Sequence, residues 1–277
     1  MQDRGSHFDD YILNKYLELT DRGLKNSGDI DLIVWPETAY PSVIRPTDRS
    51  SLQQRLEYFV DALNIPLLTG AYEVDAEGKT YNSMILFNEN GAFEDGYRKT
   101  HLLAFGEYFP GSTYLPQLKT WFPMVSDFGR GSGEKIIKYK SLGIGAQICY
   151  ESLFAQFSGN LYGQGAQLIV NVTNDSWFGY NFEPYQHLYM TMARAIEFRI
   201  PLVRSTNTGI STAMTAGGVL HDFSPIHKEW TGVVEVNYRK TPQPTLYSYY
   251  AGQWLWILFT ACVLVLFGGY IVPTRKS

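Results

Sequence analysis

The sequence predicts an α/β fold, built in layers over residues 1–245, then one C-terminal transmembrane helix over 254–272 and a short basic tail at 273–277. Two patterns carry this reading. Strand-like apolar runs alternate with helix-like ones along the domain, which favours helices packed on sheets. The stretch from Trp254 to Val272 contains no charge, and at 1.5 Å per residue a helix of that length covers about 28 Å, close to the roughly 30 Å hydrocarbon core of a bilayer. With 277 residues, 45% of them hydrophobic and 15% aromatic, the chain is long enough for one sizeable core and an anchor.

In chain order, Tyr11 to Leu17 reads as helix and Leu32-Ile33-Val34 as a buried strand. Ser51 to Leu63 reads as a second helix, and Leu67 to Gly70 and Met84 to Phe87 as strands. Glu89-Asn90-Gly91 then supplies turn chemistry for a hairpin. Residues 109–116 and 118–125 are rich in aromatics, proline and glycine without periodicity, so no regular element is expected there. Such a segment forms an apolar lid that faces lipid or a partner, or else caps the core beneath it. An apolar run from Gly143 ends on Cys149. Leu153 to Tyr162 and Tyr185 to Phe198 read as helices, Gln167 to Val170 and Leu202 to Arg204 as strands, and Ala216-Gly217-Gly218 as a strand connection. Tyr247, Tyr249, Tyr250, Trp254, Trp256 and Tyr270 bracket the apolar stretch as an aromatic belt, and Arg275 and Lys276 behind it favour a cytoplasmic C-terminus.

Chemistry concentrates at strand ends. Cys149 closes the run Gly145-Ala146-Gln147-Ile148 and is followed by Tyr150 and Glu151, which places a thiol where a nucleophile can be presented. A thiol becomes reactive when neighbouring charge favours the thiolate and a base takes its proton. Glu37, after Leu32-Ile33-Val34-Trp35-Pro36, and Lys99, before Phe105-Gly106-Glu107, are candidates for those roles. Taken singly, each has an ordinary reading: Glu37 and Lys99 as surface charges, Cys149 as a small buried hydrophobe, Glu107 and Glu151 as loop or helix-start carboxylates.

Together, in the order glutamate, lysine, cysteine, these residues resemble the nitrilase superfamily of carbon–nitrogen hydrolases. Asn171 to Gly179, Arg194 to Pro201, Arg204 to Ser211 and the segment His101 to Pro110 look like the branch formed by apolipoprotein N-acyltransferases. The resemblance implies an α-β-β-α sandwich and acyl transfer through a cysteine thioester. In that chemistry Glu37 is the general base and Cys149 the nucleophile. Lys99 favours the thiolate and then stabilises the oxyanion, together with the Tyr150 N–H. It further implies that Glu107 and Glu151 orient Lys99 or the substrate and that Tyr150 lines the acyl pocket. The implied donor is a phospholipid, and the implied acceptor is the N-terminal amine of a diacylglyceryl-cysteine apolipoprotein. The implied location is the bacterial inner membrane, catalytic domain on the periplasmic side. Two other readings stay open, a membrane-tethered hydrolase of small amides and an inactive remnant.

The resemblance departs from its family at the N-terminus. Residues 1–30 are mostly polar, with neither signal peptide nor preceding span. Family members carry a transmembrane bundle upstream and open the domain with a strand, so a truncated product lacking both is expected. A net charge of −4 suggests no nucleic-acid partner. The two cysteines, Cys149 and Cys262, do not suit a disulfide, and His7, His101, His187, His221 and His227 show no metal-ligand spacing. No cofactor and no metal are expected.

Overall fold

Period-two alternation along two central strands sets the layering. In β3 (Leu67–Val74) and β4 (Thr80–Phe87), Leu67, Ala71, Ile85 and Phe87 join one core cluster, while Leu68, Met84 and Leu86 join another. Successive side chains point to opposite faces of a sheet, so this sheet is covered on both sides. The structure is a computed structural model and describes residues 2–25, 27–45, 48–112, 114–115, 117–178, 181–250 and 253–271.

The first sheet also contains β1 (Ile33–Val34), β2 (Val43–Ile44) and β5 (Phe93–Arg98), in the order β1-β3-β4-β5 with β2 also paired to β3. On its outer face, helices α1 (Gln2–Leu24) and α2 (Ser51–Leu63) bring Leu13, Leu56 and Val60 against Trp35, Leu67 and Phe87. The Ser50 side chain caps α2 by accepting from the Gln53 N–H at 3.1 Å, and Asn64 closes it in the left-handed region at φ 54°. These are standard start and stop signals for a helix.

The second sheet runs β10-β9-β8-β7-β6, formed by β6 (Ile136–Tyr139), β7 (Leu142–Ile148), β8 (Leu168–Thr173), β9 (Leu202–Thr206) and β10 (Thr212–Met214). Its three central strands are parallel, and β7 and β8 open on apolar residues because both faces of the sheet are covered. Helices α4 (Ala155–Gly163) and α5 (Glu183–Phe198) cover the outer face through Phe157, Leu161, Leu188 and Met192. Between the sheets, Leu68, Met84, Leu86 and Tyr97 share a cluster with Ile144, Ala146 and Ile148. The result is the α-β-β-α sandwich that the resemblance implied.

Three expectations need correction or limits. Part of the irregular segment 109–125 is a short helix, α3 (Gln117–Trp121); Thr113 and Pro116 lie outside the described residues. Tyr114, Leu115, Trp121, Phe122 and Met124 are exposed there, not folded over the core. At the C-terminus, α6 (Leu246–Tyr250) leads to α7 (Trp254–Ile271). Among the described residues, no helix is long and apolar enough to cross a membrane, so the span predicted over 254–272 is not found. The part of α7 with described side chains, 255–267, is almost entirely exposed and apolar. Val272 and the basic tail 273–277, with Arg275 and Lys276, lie outside the described residues.

Candidate active site

Glu37, Lys99 and Cys149 each lie just beyond a strand, whereas Glu107 sits in the loop between β5 and α3. Glu37 follows β1 through a turn in which Thr38 takes φ 52°. That turn presses against β3: a Cβ on Gly70 would lie 2.5 Å from the Glu37 Cα and 2.6 Å from the Pro36 carbonyl oxygen. Only glycine permits so close an approach. Lys99 follows β5, and Cys149 follows β7 in the left-handed region at φ 56°, an unusual conformation for a residue with a side chain. Cys149 then opens a 3₁₀ turn over Cys149–Leu153.

The structure brings Glu37, Lys99 and Glu107 into contact. The buried Lys99 Nζ donates to Glu107 Oε1 at 2.9 Å and to Glu37 Oε1 at 3.3 Å. Asn82, in the middle of β4, donates its amide to the same two oxygens at 2.8 and 2.7 Å. The second oxygen of each carboxylate is also held, Glu37 Oε2 by the Asn174 N–H at 2.8 Å and Glu107 Oε2 by the Leu103 N–H at 2.8 Å. Every carboxylate oxygen therefore has a fixed donor. Two carboxylates joined by one amide thus surround a single ammonium, and a buried charge is tolerable only when it is paired and hydrogen-bonded in this way.

Glu151 ties the lysine end of the first sheet to the cysteine end of the second. Its Oε1 accepts from the Thr100 and His101 N–H groups at 2.8 and 2.9 Å and from the Tyr97 hydroxyl at 2.7 Å, while Oε2 accepts from the Ile148 N–H at 2.8 Å. Burial pushes its carboxyl up to about 7, against the lowering effect of these donors. Tyr150 lies with its ring centre 5.6 Å from Lys99 Nζ and packs edge-on against Phe154.

The electrostatics of the thiol and the ammonium are coupled. Burial would lower Lys99, but the charges of Glu37, Cys149 and Glu107 outweigh it and hold the ammonium above its ordinary value. Burial, followed by the nearby Glu37 charge, pushes the Cys149 thiol up to about 12; Lys99, the Thr173 side chain and the Tyr150 N–H oppose that rise. At neutral pH the thiol is protonated, so a reaction at sulfur needs a base beside it, and Glu37 is the carboxylate coupled to it.

Asn82 was not legible as a site residue, although a polar amide in the strand Thr80–Phe87 is a signal that something polar lies between the sheets. A second set also emerges. Asp175 accepts from Arg204 Nη2 at 2.9 Å and pairs with His187 Nδ1 at 3.0 Å, and Glu183 Oε1 lies 3.8 Å from the same nitrogen. Histidine spacing alone suggests no grouping, yet among the described residues Asp175, Glu183 and His187 bring ligand-type atoms within 4.8 Å of one another. The fully buried Arg204 already balances Asp175 there, so the set is an ion-paired network and does not suit a cation.

The family model for carbon-nitrogen hydrolases matches residues 9–248. A Bdellovibrio bacteriovorus protein named apolipoprotein N-acyltransferase is 42% identical over 97% of this chain and 50% of its own length. A protein of the same name from Geobacter metallireducens is 33% identical over 86% of this chain and 44% of its own length. The chain thus spans about half the length of the curated relatives it matches. Among solved structures, Saccharomyces cerevisiae Nit3, a member of branch 10 of the nitrilase superfamily, has a TM-score of 0.62 at 20% identity, covering 79% of this chain and 82% of that one. A carbon-nitrogen hydrolase from Helicobacter pylori G27 has a TM-score of 0.60 at 16% identity, covering 80% and 82%. At these identities the structural likeness concerns the fold.

Proposed function

The chain belongs to the carbon-nitrogen hydrolase family, and from that premise we propose that it is the catalytic part of an N-acyltransferase that matures lipoproteins. The observation that carries the proposal is the ammonium of Lys99 held between Glu37 and Glu107 and coupled to a left-handed, strand-end Cys149.

In the proposed sequence, Glu37 takes the Cys149 proton as sulfur attacks the ester carbonyl of a phospholipid. Lys99 and the Tyr150 N–H stabilise the oxyanion, the C–O bond breaks, and the lysophospholipid leaves with the proton returned from Glu37. The amine of a diacylglyceryl-cysteine peptide then attacks the thioester. Glu37 accepts the amine proton, the C–S bond breaks, and an amide forms as Cys149 recovers its thiol. Glu107 and Glu151 are assigned positioning roles, Glu107 on Lys99 and Glu151 between the lysine and cysteine turns. Tyr150 is assigned to the wall of the acyl pocket.

A lipid donor requires a site at a bilayer, and the exposed apolar side chains of α7 and of segment 114–124 support membrane contact. We place the domain at the outer face of a bacterial inner membrane, in contact with its lipid through these apolar side chains. The direct test is incubation of the detergent-solubilised chain with phospholipid and a diacylglyceryl-cysteine peptide. Formation of N-acylated peptide with an equal amount of lysophospholipid is expected. Release of free fatty acid without acylated peptide would favour a membrane-tethered hydrolase, and turnover of a small amide with no lipid reaction would replace the proposal by an amidase.

A further inference from the structure

The carbonyl group of Cys149 is clamped from inside the fold. Its oxygen accepts from Asn171 Nδ2 at 3.0 Å and from the Ser152 hydroxyl at 3.2 Å. The Asn171 amide cannot turn over, because its Oδ1 accepts from Arg204 Nη1 at 2.6 Å. Arg204 is fixed in turn by Asp175 Oδ2 at 2.9 Å and by Thr191 Oγ1 at 3.3 Å, and its side chain is fully buried. Thr191 also shares a hydrogen bond of 2.7 Å with Ser152, so the two donors to the Cys149 carbonyl belong to one connected network.

The consequence lies in the next peptide plane. The carbonyl of Cys149 and the N–H of Tyr150 belong to one planar, trans unit, so they point in opposite directions. Whatever holds the oxygen inward aims the N–H outward. A left-handed cysteine keeps that plane only where its surroundings fix it, and here a buried cation holds it through the Asn171 amide, with the Ser152 hydroxyl as the second donor.

We propose that Arg204 and Asn171 are positioning residues for the acyl chemistry: Arg204 orients the Asn171 amide, Asn171 holds the Cys149 carbonyl, and the Tyr150 N–H is thereby aimed at the oxyanion. This rests on the reading of Cys149 as nucleophile and Tyr150 N–H as oxyanion donor. Neither Arg204 nor Asn171 touches substrate in this scheme.

Two probes of the same thiol separate aim from fold. Attack on p-nitrophenyl butyrate passes through a tetrahedral oxyanion and needs the Tyr150 N–H, whereas displacement of iodide from iodoacetamide forms no oxyanion. Both reactions are followed at Cys149 by peptide mass spectrometry on the full chain. Asn171→Asp keeps an acceptor for Arg204 but replaces the donor to Cys149 by a carboxylate oxygen. Acylation by the ester is expected to fall about 100-fold, the size of a misplaced catalytic group, with alkylation changed by less than about threefold. Arg204→Lys, which keeps the charge but loses the forked donor, is expected to show the same split and decides the matter if Asn171→Asp does not fold.

Unchanged ester acylation in both variants would overturn the proposal. So would a parallel fall of both reactions, or a rise in alkylation as a loosened fold exposes the thiol, since either marks a structural role. A wild-type Cys149 inert to both probes would instead overturn the nucleophile reading, and this inference with it.

Discussion

At the scale of single residues, three strand-end side chains carry the proposed chemistry, and their contributions differ in kind. Lys99→Ala removes an oxyanion donor and the ammonium that balances Glu37 and Glu107, so acyl transfer should fall by about two to three orders of magnitude; a transfer assay at saturating lipid checks this. Cys149 titrates well above its ordinary value of 9.0. Its alkylation rate should therefore keep climbing with pH beyond 9, measured site-specifically by peptide mass, where an unperturbed thiol levels off. The sign for stability follows. Between 9.0 and about 12 the folded chain keeps a proton that the unfolded chain has released, so this group's contribution to stability is present below pH 9 and is lost as pH rises. Glu37 and Cys149 were legible in the sequence because each follows an apolar run, and Lys99, after the polar strand Phe93–Arg98, was legible only through the order glutamate, lysine, cysteine. Asn82, Asn171 and Arg204 were not, because periodicity shows that a strand is buried without showing which of its polar residues meet across the space between two sheets.

At the scale of elements, the boundaries that could be read were those with local chemistry. Helix α2 matches its predicted range because Ser50 and Asn64 cap it, and the hairpin at Glu89-Asn90-Gly91 joins β4 to β5 with Gly91 at φ 70°. Strand β1 (Ile33–Val34) lies within the run Leu32-Ile33-Val34 that read as a strand, whereas β5, Phe-Glu-Asp-Gly-Tyr-Arg, carries too many polar residues to stand out and β2 has only two residues. The existence of β2 depends on pairing with β3, a partner distant in sequence. One element-level contact is directly testable. In Gly70→Ala the new methyl group would meet the backbone of the Glu37 turn, so the turn must shift. Overpacking of this type costs about 1–3 kcal/mol, which a denaturant titration reads. Acyl transfer should fall beyond the loss of folded protein, because Glu37 moves away from Lys99. Unchanged transfer in the folded variant would show that the closeness of β3 to this turn does not matter to the site.

At the scale of the whole molecule, a covered two-sheet sandwich presents an open apolar surface at one end of the chain. Leu258 and Leu264 on α7 are 57% and 67% exposed, an arrangement that marks an interaction surface in a protein whose cores are otherwise closed. Leu258→Lys with Leu264→Lys should leave the thiol chemistry intact and reduce co-flotation of the chain with phospholipid vesicles; undiminished flotation would remove α7 from the membrane account. The layered fold was legible from alternating runs, and so was the apolar helix α7 (Trp254–Ile271), whereas no membrane span is found among the described residues. Local hydropathy does not say what lies against an apolar helix. The central claim is that Cys149 accepts an acyl chain from a phospholipid, and intact mass spectrometry after incubation with phospholipid tests it most directly. The account predicts the mass of one added acyl chain on the wild-type chain and none on Cys149→Ala. An adduct of equal size on both, or none on the wild type while lysophospholipid accumulates, would contradict it.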